Sequence, residues 1–375
     1  MANRSRHLNV EVLNRRHLLA AAGATGMVLA AKSLSAATST IFAASGPTPM
    51  IHVTDLFRPH GDPDDHWDLA CVFALAMQGR VDLKAVLIDS PFGYKYEGKN
   101  PDIAAVAQMN YITSQAVPAV VGSPRSVKSR TDTQPQATKL DHSGINVVLR
   151  IMEQATQPVI INVIGSCRDI AVAARKRPEL FRTKCRGIYL NAGNGDPDPA
   201  NQKIEWNVGL EPAAYAAIFD IPCPIYWMPC INGTYYNFRQ DAILPHLSDE
   251  VQNYFAYMFA RKTDHNWLAY LTDPKDQKLL GEQGGKTRNM WCTAGFFHAA
   301  GQTVLGDGKI VDLRRAKDKG VFAFEPCRIE CDDAGRTKWT PDPNSSDRFI
   351  FRVRDKENYG PATTVAMKSL LTSLP

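Results

Sequence analysis

The chain has 375 residues, 44% hydrophobic and 22% charged, an ordinary balance for a globular protein with a large core. Of its formal net charge of +5, residues 1–44 supply most, through Arg4, Arg6, Arg15, Arg16 and Lys32 against Glu11. The remainder is nearly neutral and has no dense Lys/Arg stripe, which argues against a nucleic-acid groove.

In chain order, the first segment reads as an export leader. Arg15-Arg16-His17-Leu18-Leu19 opens an apolar run through Ala31, and small residues follow from Ser33 to Ala44. Charged, apolar and small-residue regions in that order make a secretory signal, and the arginine pair resembles a twin-arginine address. The expectation is removal of residues 1–44, a periplasmic or extracellular destination in a bacterium, and a single domain over residues 45–375. No apolar stretch reaches the roughly 18 residues of a membrane span, so no membrane contact is expected after the leader is removed. The eight cysteines show no CxxC spacing. Cys71 and Cys167 fall in apolar helical patterns and are expected to be buried thiols. Cys327 and Cys331 flank a strand-like run and are candidates for a bridge or a metal site.

Strand and helix patterns then alternate. Met50–Thr54 reads as a strand, Asp64–Met77 as a helix, Leu83–Ile88 as a strand and Ile103–Ile112 as a helix. Ala119–Val121, Pro158–Ile164, Gly187–Leu190 and Ile225–Met228 continue the strands. Ile145–Met152, Ile170–Ala174 and Pro212–Phe219 continue the helices. Such alternation predicts an α/β fold with a mainly parallel sheet and helices on both faces, with ligands beyond the carboxyl ends of the strands. Residues 249–300 read as mostly helical. Residues 309–353 form a β-rich segment, and a last helix covers Thr363–Leu371. Gly93–Pro101, Pro124–Ser143 and Gly193–Lys203 are long polar connections of the kind that often carry function.

The densest chemistry lies between Asp55 and Asp68, where Asp55, Asp62, Asp64, Asp65 and Asp68 fall within 14 residues at a strand end and a helix start. Asp62 followed by Pro63 suits an N-cap with Pro at the first helical position. Asp64 and Asp65 suit a first helical turn. Capping explains one or two acids, not five. Concentrated carboxylates need a compensating cation or proton, and hard oxygen donors suit Ca²⁺ or Mg²⁺. His60 and His66 flank the cluster as candidates for metal binding or proton shuttling. Trp67 and Trp206 read as wall or core residues.

Thr54-Asp55, Asp62-Pro63-Asp64-Asp65 and Leu69–Ala76 resemble the N-terminal motif of the nucleoside hydrolase family, DxDPGxDD before an Ala/Leu-rich helix, with extra residues between Asp55 and Asp62. Ile161-Asn162-Val163-Ile164-Gly165-Ser166, with Asp169-Ile170-Ala171, is similar to the family's strand-Thr-Gly-turn-helix segment. Ile204-Glu205-Trp206-Asn207, followed by Glu211-Pro212, is similar to its Glu-aromatic-Asn element. The resemblance implies hydrolysis of an N-glycosidic bond in a small-molecule nucleoside or glycoside. It implies Asp62 as the base, with Asp55 or Asp65 as alternatives. Ca²⁺ would be held by Asp55, Asp64, Asp65 and the Ile164 carbonyl, with Glu205 and Asn207 on the sugar. Asp68 stands as an alternative to Asp65 by helix register. The chain departs from the family's late Asp: Arg288–Gly295 holds no carboxylate, and Asn289 is its amide oxygen donor. His298, in an apolar helical run, reads as a packed histidine. A periplasmic sugar- or nucleoside-binding protein without turnover, and another metal-dependent hydrolase of glycosides or phosphoesters, are the rival readings. Self-association as a homo-oligomer is left open.

Overall fold

The computed structural model describes residues 46–61, 63–90 and 98–375. The expected leader, Asp62 and most of the Gly93–Pro101 connection lie outside the described residues.

Among the described residues nine strands form the main sheet: β1 (Thr48–Thr54), β2 (Val81–Ile88), β3 (Ala119–Val121), β4 (Val159–Val163), β5 (Cys185–Asn191), β6 (Ile225–Met228), β7 (Phe322–Cys331), β8 (Thr337–Pro341) and β9 (Arg348–Val353). Their spatial order is β8-β7-β9-β6-β5-β4-β1-β2-β3. From β3 to β9 every neighbouring pair is parallel, whereas β7 pairs antiparallel with both β9 and β8. The expected α/β architecture with a β-rich C-terminal segment is thus observed, and the segment extends the main sheet at one edge.

The central strands are apolar on both faces because helices cover both. Along β1, Met50 joins one core cluster while Ile51 and Val53 join the other. Against the first face pack α1 (Asp64–Met77), α2 (Ile103–Thr113), the helix Asp249–Phe259 and the C-terminal helix Tyr359–Leu371. Against the second lie α3 (Ser143–Gln154), α4 (Arg168–Lys176) and a helix over Pro212–Ile218. No helix among the described residues is long and apolar enough to cross a membrane.

Two local expectations change. Pro63 occupies the N-cap of α1 instead of the first helical position. Its φ of −81° and ψ of 8° lie outside the helical region, and its carbonyl accepts from the amides of His66 and Trp67. Cys327 and Cys331 both lie on β7 and are free thiols. Four residues of extended strand separate their Cα atoms by about 13 Å, which excludes a bridge between them. Cys71 and Cys167 are buried, as expected.

Candidate active site

The strand order reverses between β1 and β4: β2 and β3 lie outward of β1, and β5 and β6 outward of β4. A crevice opens at such a switch point because consecutive connections leave the sheet on opposite faces. Residues just past β1, β2, β4 and β5 therefore converge. The Asp89 amide bonds the Thr54 carbonyl at 2.9 Å, and the Ile164 amide bonds the Val53 carbonyl at 2.9 Å. These bonds set Asp55, Asp89 and Ile164 side by side. Gly165 permits the approach: a Cβ there would stand 2.7 Å from the Asp55 nitrogen and 2.8 Å from Asp89 Oδ2.

The cleft at this point has a volume of about 560 Å³, within the range of small-molecule sites. Asp55, Asp64, Asp65, Ile164, Glu205 and Asn207 all line it. A depression of about 510 Å³ between Tyr235 and Thr364 has no carboxylate in its lining.

Asp65 is buried; its Oδ1 accepts the Thr54 hydroxyl at 3.1 Å, and its Oδ2 lies 3.3 Å from His60 Nε2. Burial, then repulsion from Asp55, Asp64 and Asp68, raises its pKa well above the carboxylate range. Burial, with charge from His66 and nearby cations adding to it, holds His60 down at about 2, so its imidazole is neutral. A ring nitrogen of His60 and carboxylate oxygens of Asp64 and Asp65 lie within 4.8 Å of one another. The cluster fits a cation because a positive charge offsets both the burial and the carboxylate repulsion that raise Asp65.

The opposite wall rests on Glu205, the N-cap of the short helix Trp206–Leu210. Its Oε1 accepts the Asn207 amide at 3.0 Å, and its Oε2 accepts the Gly193 amide at 2.9 Å and the Val208 amide at 3.4 Å. Burial raises its pKa against these hydrogen bonds. Asn207 donates from Nδ2 to the Ile164 carbonyl at 3.0 Å, and its buried Oδ1 has no hydrogen-bond partner among the described residues. Trp206 lines the cleft and is half exposed, whereas Trp67 is core, its indole donating to Gln240 Oε1 at 3.1 Å.

Other expectations are redistributed. Asp68 is buried behind the cleft, not on its lining; burial pushes it up to about 8 against the influence of the adjacent Cys292 thiol. Asn289 pairs across a two-stranded ribbon, and its Oδ1 accepts the Tyr235 hydroxyl at 3.0 Å, away from the cleft lining. From that segment Trp291 and Cys292 reach the cleft instead. His298 is packed, its Nδ1 2.7 Å from the Tyr189 hydroxyl.

Residues absent from the sequence reading line the cleft or brace the segments around it. Asn191, the last residue of β5, lines the cleft, and its Oδ1 accepts the thiols of Cys292 at 2.9 Å and Cys230 at 3.4 Å. Asp89 Oδ2 accepts the Ser166 amide at 2.6 Å. Buried Arg168 binds Glu211 Oε2 at 2.7 Å and the Ser123 carbonyl. The usable signal for Asp89 and Asn191 was position at or just past the carboxyl ends of strands.

Among solved structures, a plant nucleoside hydrolase is similar over 87% of this chain and 99% of its own, at 14% identity and a TM-score of 0.50. The fold is nucleoside hydrolase-like. The inosine-uridine preferring nucleoside hydrolase of Bacillus anthracis is 12% identical over 86% of this chain and 99% of its own, with a TM-score of 0.43. The purine-preferring ribonucleoside hydrolase of Gardnerella vaginalis is 13% identical over 87% of this chain and 100% of its own, with a TM-score of 0.46. No protein-family model matches the chain, and no curated protein matches it. In this nucleoside hydrolase-like fold the chemistry must be argued from the site's own residues.

Proposed function

We propose that the protein is a metal-dependent hydrolase of the N-glycosidic bond of a nucleoside or related ribosyl compound. The carrying observation is that Asp55, Asp64, Asp65, Ile164, Glu205 and Asn207, gathered from three separate parts of the chain, line one cleft. Asp55, Asp64, Asp65 and the Ile164 carbonyl would hold the divalent cation, and their oxygen donors are of the kind that take Ca²⁺. When bound, such a cation would hold sugar hydroxyls and lower the pKa of water. Asp62, the base implied by the sequence motif, would accept the proton of the attacking water. The unpartnered Asn207 Oδ1 would accept a hydrogen bond from a sugar hydroxyl, and Glu205 would hold a second. The cluster's negative charge favours the positive charge that develops on the sugar ring as the bond breaks. Trp206 and Trp291 offer apolar wall for a planar leaving group.

The second reading, a binding protein without turnover, is favoured by Cys292, because the segment that lacks the expected late carboxylate lines the cleft with a thiol. Incubating the protein with purine and pyrimidine nucleosides, and measuring free base and reducing sugar, separates the two readings. Turnover is expected, with Asp62→Asn slowing it by about 10²–10⁴-fold. Tight nucleoside binding with no base released would sink the hydrolase reading.

A further inference from the structure

His60 lies in the connection between β1 and α1 and is held against the acidic cluster. Its side chain is only 6% exposed, and its Nε2 stands 3.3 Å from Asp65 Oδ2. Neither ring nitrogen makes a hydrogen bond among the described residues, although both are shielded from solvent. The ring packs on His66 with centroids 4.8 Å apart, and His66 is fixed in turn by Asp102 Oδ2 at 3.2 Å. A buried imidazole without hydrogen bonds loses its hydration, and the 3.3 Å approach of Asp65 Oδ2 regains only part of it. A bound cation supplies the missing partner.

The spacing agrees. Two donors each about 2.1 Å from one ion stand roughly 3–3.5 Å apart when adjacent in an octahedral or tetrahedral shell, as His60 Nε2 and Asp65 Oδ2 do. Asp64 completes a group whose donor atoms all lie within 4.8 Å of one another. Calcium takes shells of six to eight oxygens. Imidazole beside carboxylates suits borderline transition ions.

We propose that His60 is a ligand of the cation in this cleft, and that the ion is of the imidazole-accepting class, Mn²⁺, Co²⁺ or Zn²⁺, in place of Ca²⁺. The proposal rests on the metal-dependent reading above and specifies the donor set and ion of that same site. A nitrogen donor displaces one oxygen of the hard-cation set, so the preference for Ca²⁺ falls and that for the transition ions rises.

The test titrates the metal-stripped full chain with CoCl₂ and with CaCl₂ by calorimetry, and records pulsed electron paramagnetic resonance of the Mn²⁺-loaded protein. Co²⁺ is expected to bind at least about tenfold more tightly than Ca²⁺, and the Mn²⁺ echo is expected to carry imidazole nitrogen modulation. His60→Ala should lose that modulation and the Co²⁺ preference while keeping its Ca²⁺ affinity. The wild-type spectrum reads the ligand directly, so the proposal stays testable if the variant fails to fold. Absence of nitrogen modulation in the loaded wild type, its survival in folded His60→Ala, or equal affinity for Co²⁺ and Ca²⁺ overturns the assignment. If Ca²⁺ binds and supports hydrolysis while His60→Ala changes nothing, only this proposal fails. If no divalent ion binds, the metal-dependent reading fails with it.

Discussion

Asn207 and Glu205 sit two residues apart and face the same cleft, yet they are bound into the structure differently. Glu205 spends its carboxylate on three backbone amides, from Gly193, Asn207 and Val208. Glu205→Gln presents an amide N–H to these donors and removes a cap, which should cost roughly 0.5–2 kcal/mol of stability. Asn207 lines the cleft, and its buried Oδ1 has no hydrogen-bond partner among the described residues. Asn207→Ala should therefore raise KM by about tenfold, the equivalent of one hydrogen bond of roughly 1.4 kcal/mol. Urea denaturation and steady-state kinetics on the two variants check this division. A KM unchanged in Asn207→Ala would remove it from the sugar subsite. Both residues stood out in the sequence through the resemblance to a Glu-aromatic-Asn element, whereas the bond from Glu205 to the Gly193 amide did not, because Gly193 belongs to another turn.

The elements around the cleft are locked by Arg168, the first residue of α4. Its guanidinium joins Glu211 at the start of the Pro212–Ile218 helix to the Ser123 carbonyl beyond β3, and Glu211 Oε1 also accepts the Val127 amide at 2.7 Å. Both side chains are at least nine-tenths buried. Breaking such a pair leaves one charge buried and uncompensated, at a cost of roughly 3–5 kcal/mol, whereas removing both charges costs far less. Arg168→Met is accordingly expected to destabilise strongly, and the double variant Arg168→Met/Glu211→Met to recover much of the loss. A double-mutant cycle of denaturation free energies measures the coupling, and additive costs would refute it. Elements of this region were legible where local pattern sufficed: Ala119–Val121 and Ile225–Met228 have the bounds their apolar runs predict. The five-residue helix Trp206–Leu210 was not, since it is too short for a periodic signal and depends on the Glu205 cap.

At the scale of the molecule, two buried histidines outside the cleft contribute to the response to acid. His52 Nδ1 lies 2.9 Å from Asn162 Nδ2, and His298 Nδ1 lies 2.7 Å from the Tyr189 hydroxyl. Burial lowers both pKa values to about 3. Unfolded, each titrates near the ordinary value of about 6.5. A depressed folded pKa gives stability that is present above about pH 6.5 and is lost as pH falls toward about 3, because the unfolded chain takes up the proton first. Between these values each histidine contributes a slope of about 1.4 kcal/mol per pH unit. His298→Gln should flatten the fall in denaturation free energy between pH 6 and pH 4 relative to wild type, and an unchanged slope would refute the assignment. We also propose export through the twin-arginine pair. Arg15→Lys with Arg16→Lys should leave the protein in the cytoplasm, as read by cell fractionation, and normal export of that variant would sink the proposal.

The sequence by itself determined the alternating strands and helices, the packed state of His298 and the acidic approach to α1, because each is written in neighbouring residues through apolar periodicity, Gly and Pro placement or charge density. Tertiary structure alone decided which acids share the cleft. Asp64 and Asp65 face it and Asp68 does not, because the register of α1 against the sheet turns Asp68 toward Cys292. It alone brought Asn191, Cys230 and Cys292 together, residues up to 101 positions apart whose meeting depends on how β5, β6 and the helices beyond them pack. The same holds for Asn289, excluded from the cleft by its strand pairing, and for His60, whose buried nitrogens acquire meaning only beside Asp64 and Asp65. Local sequence sets the conformation of a segment. Burial and the distance between segments arise only when the sheet closes against its helices.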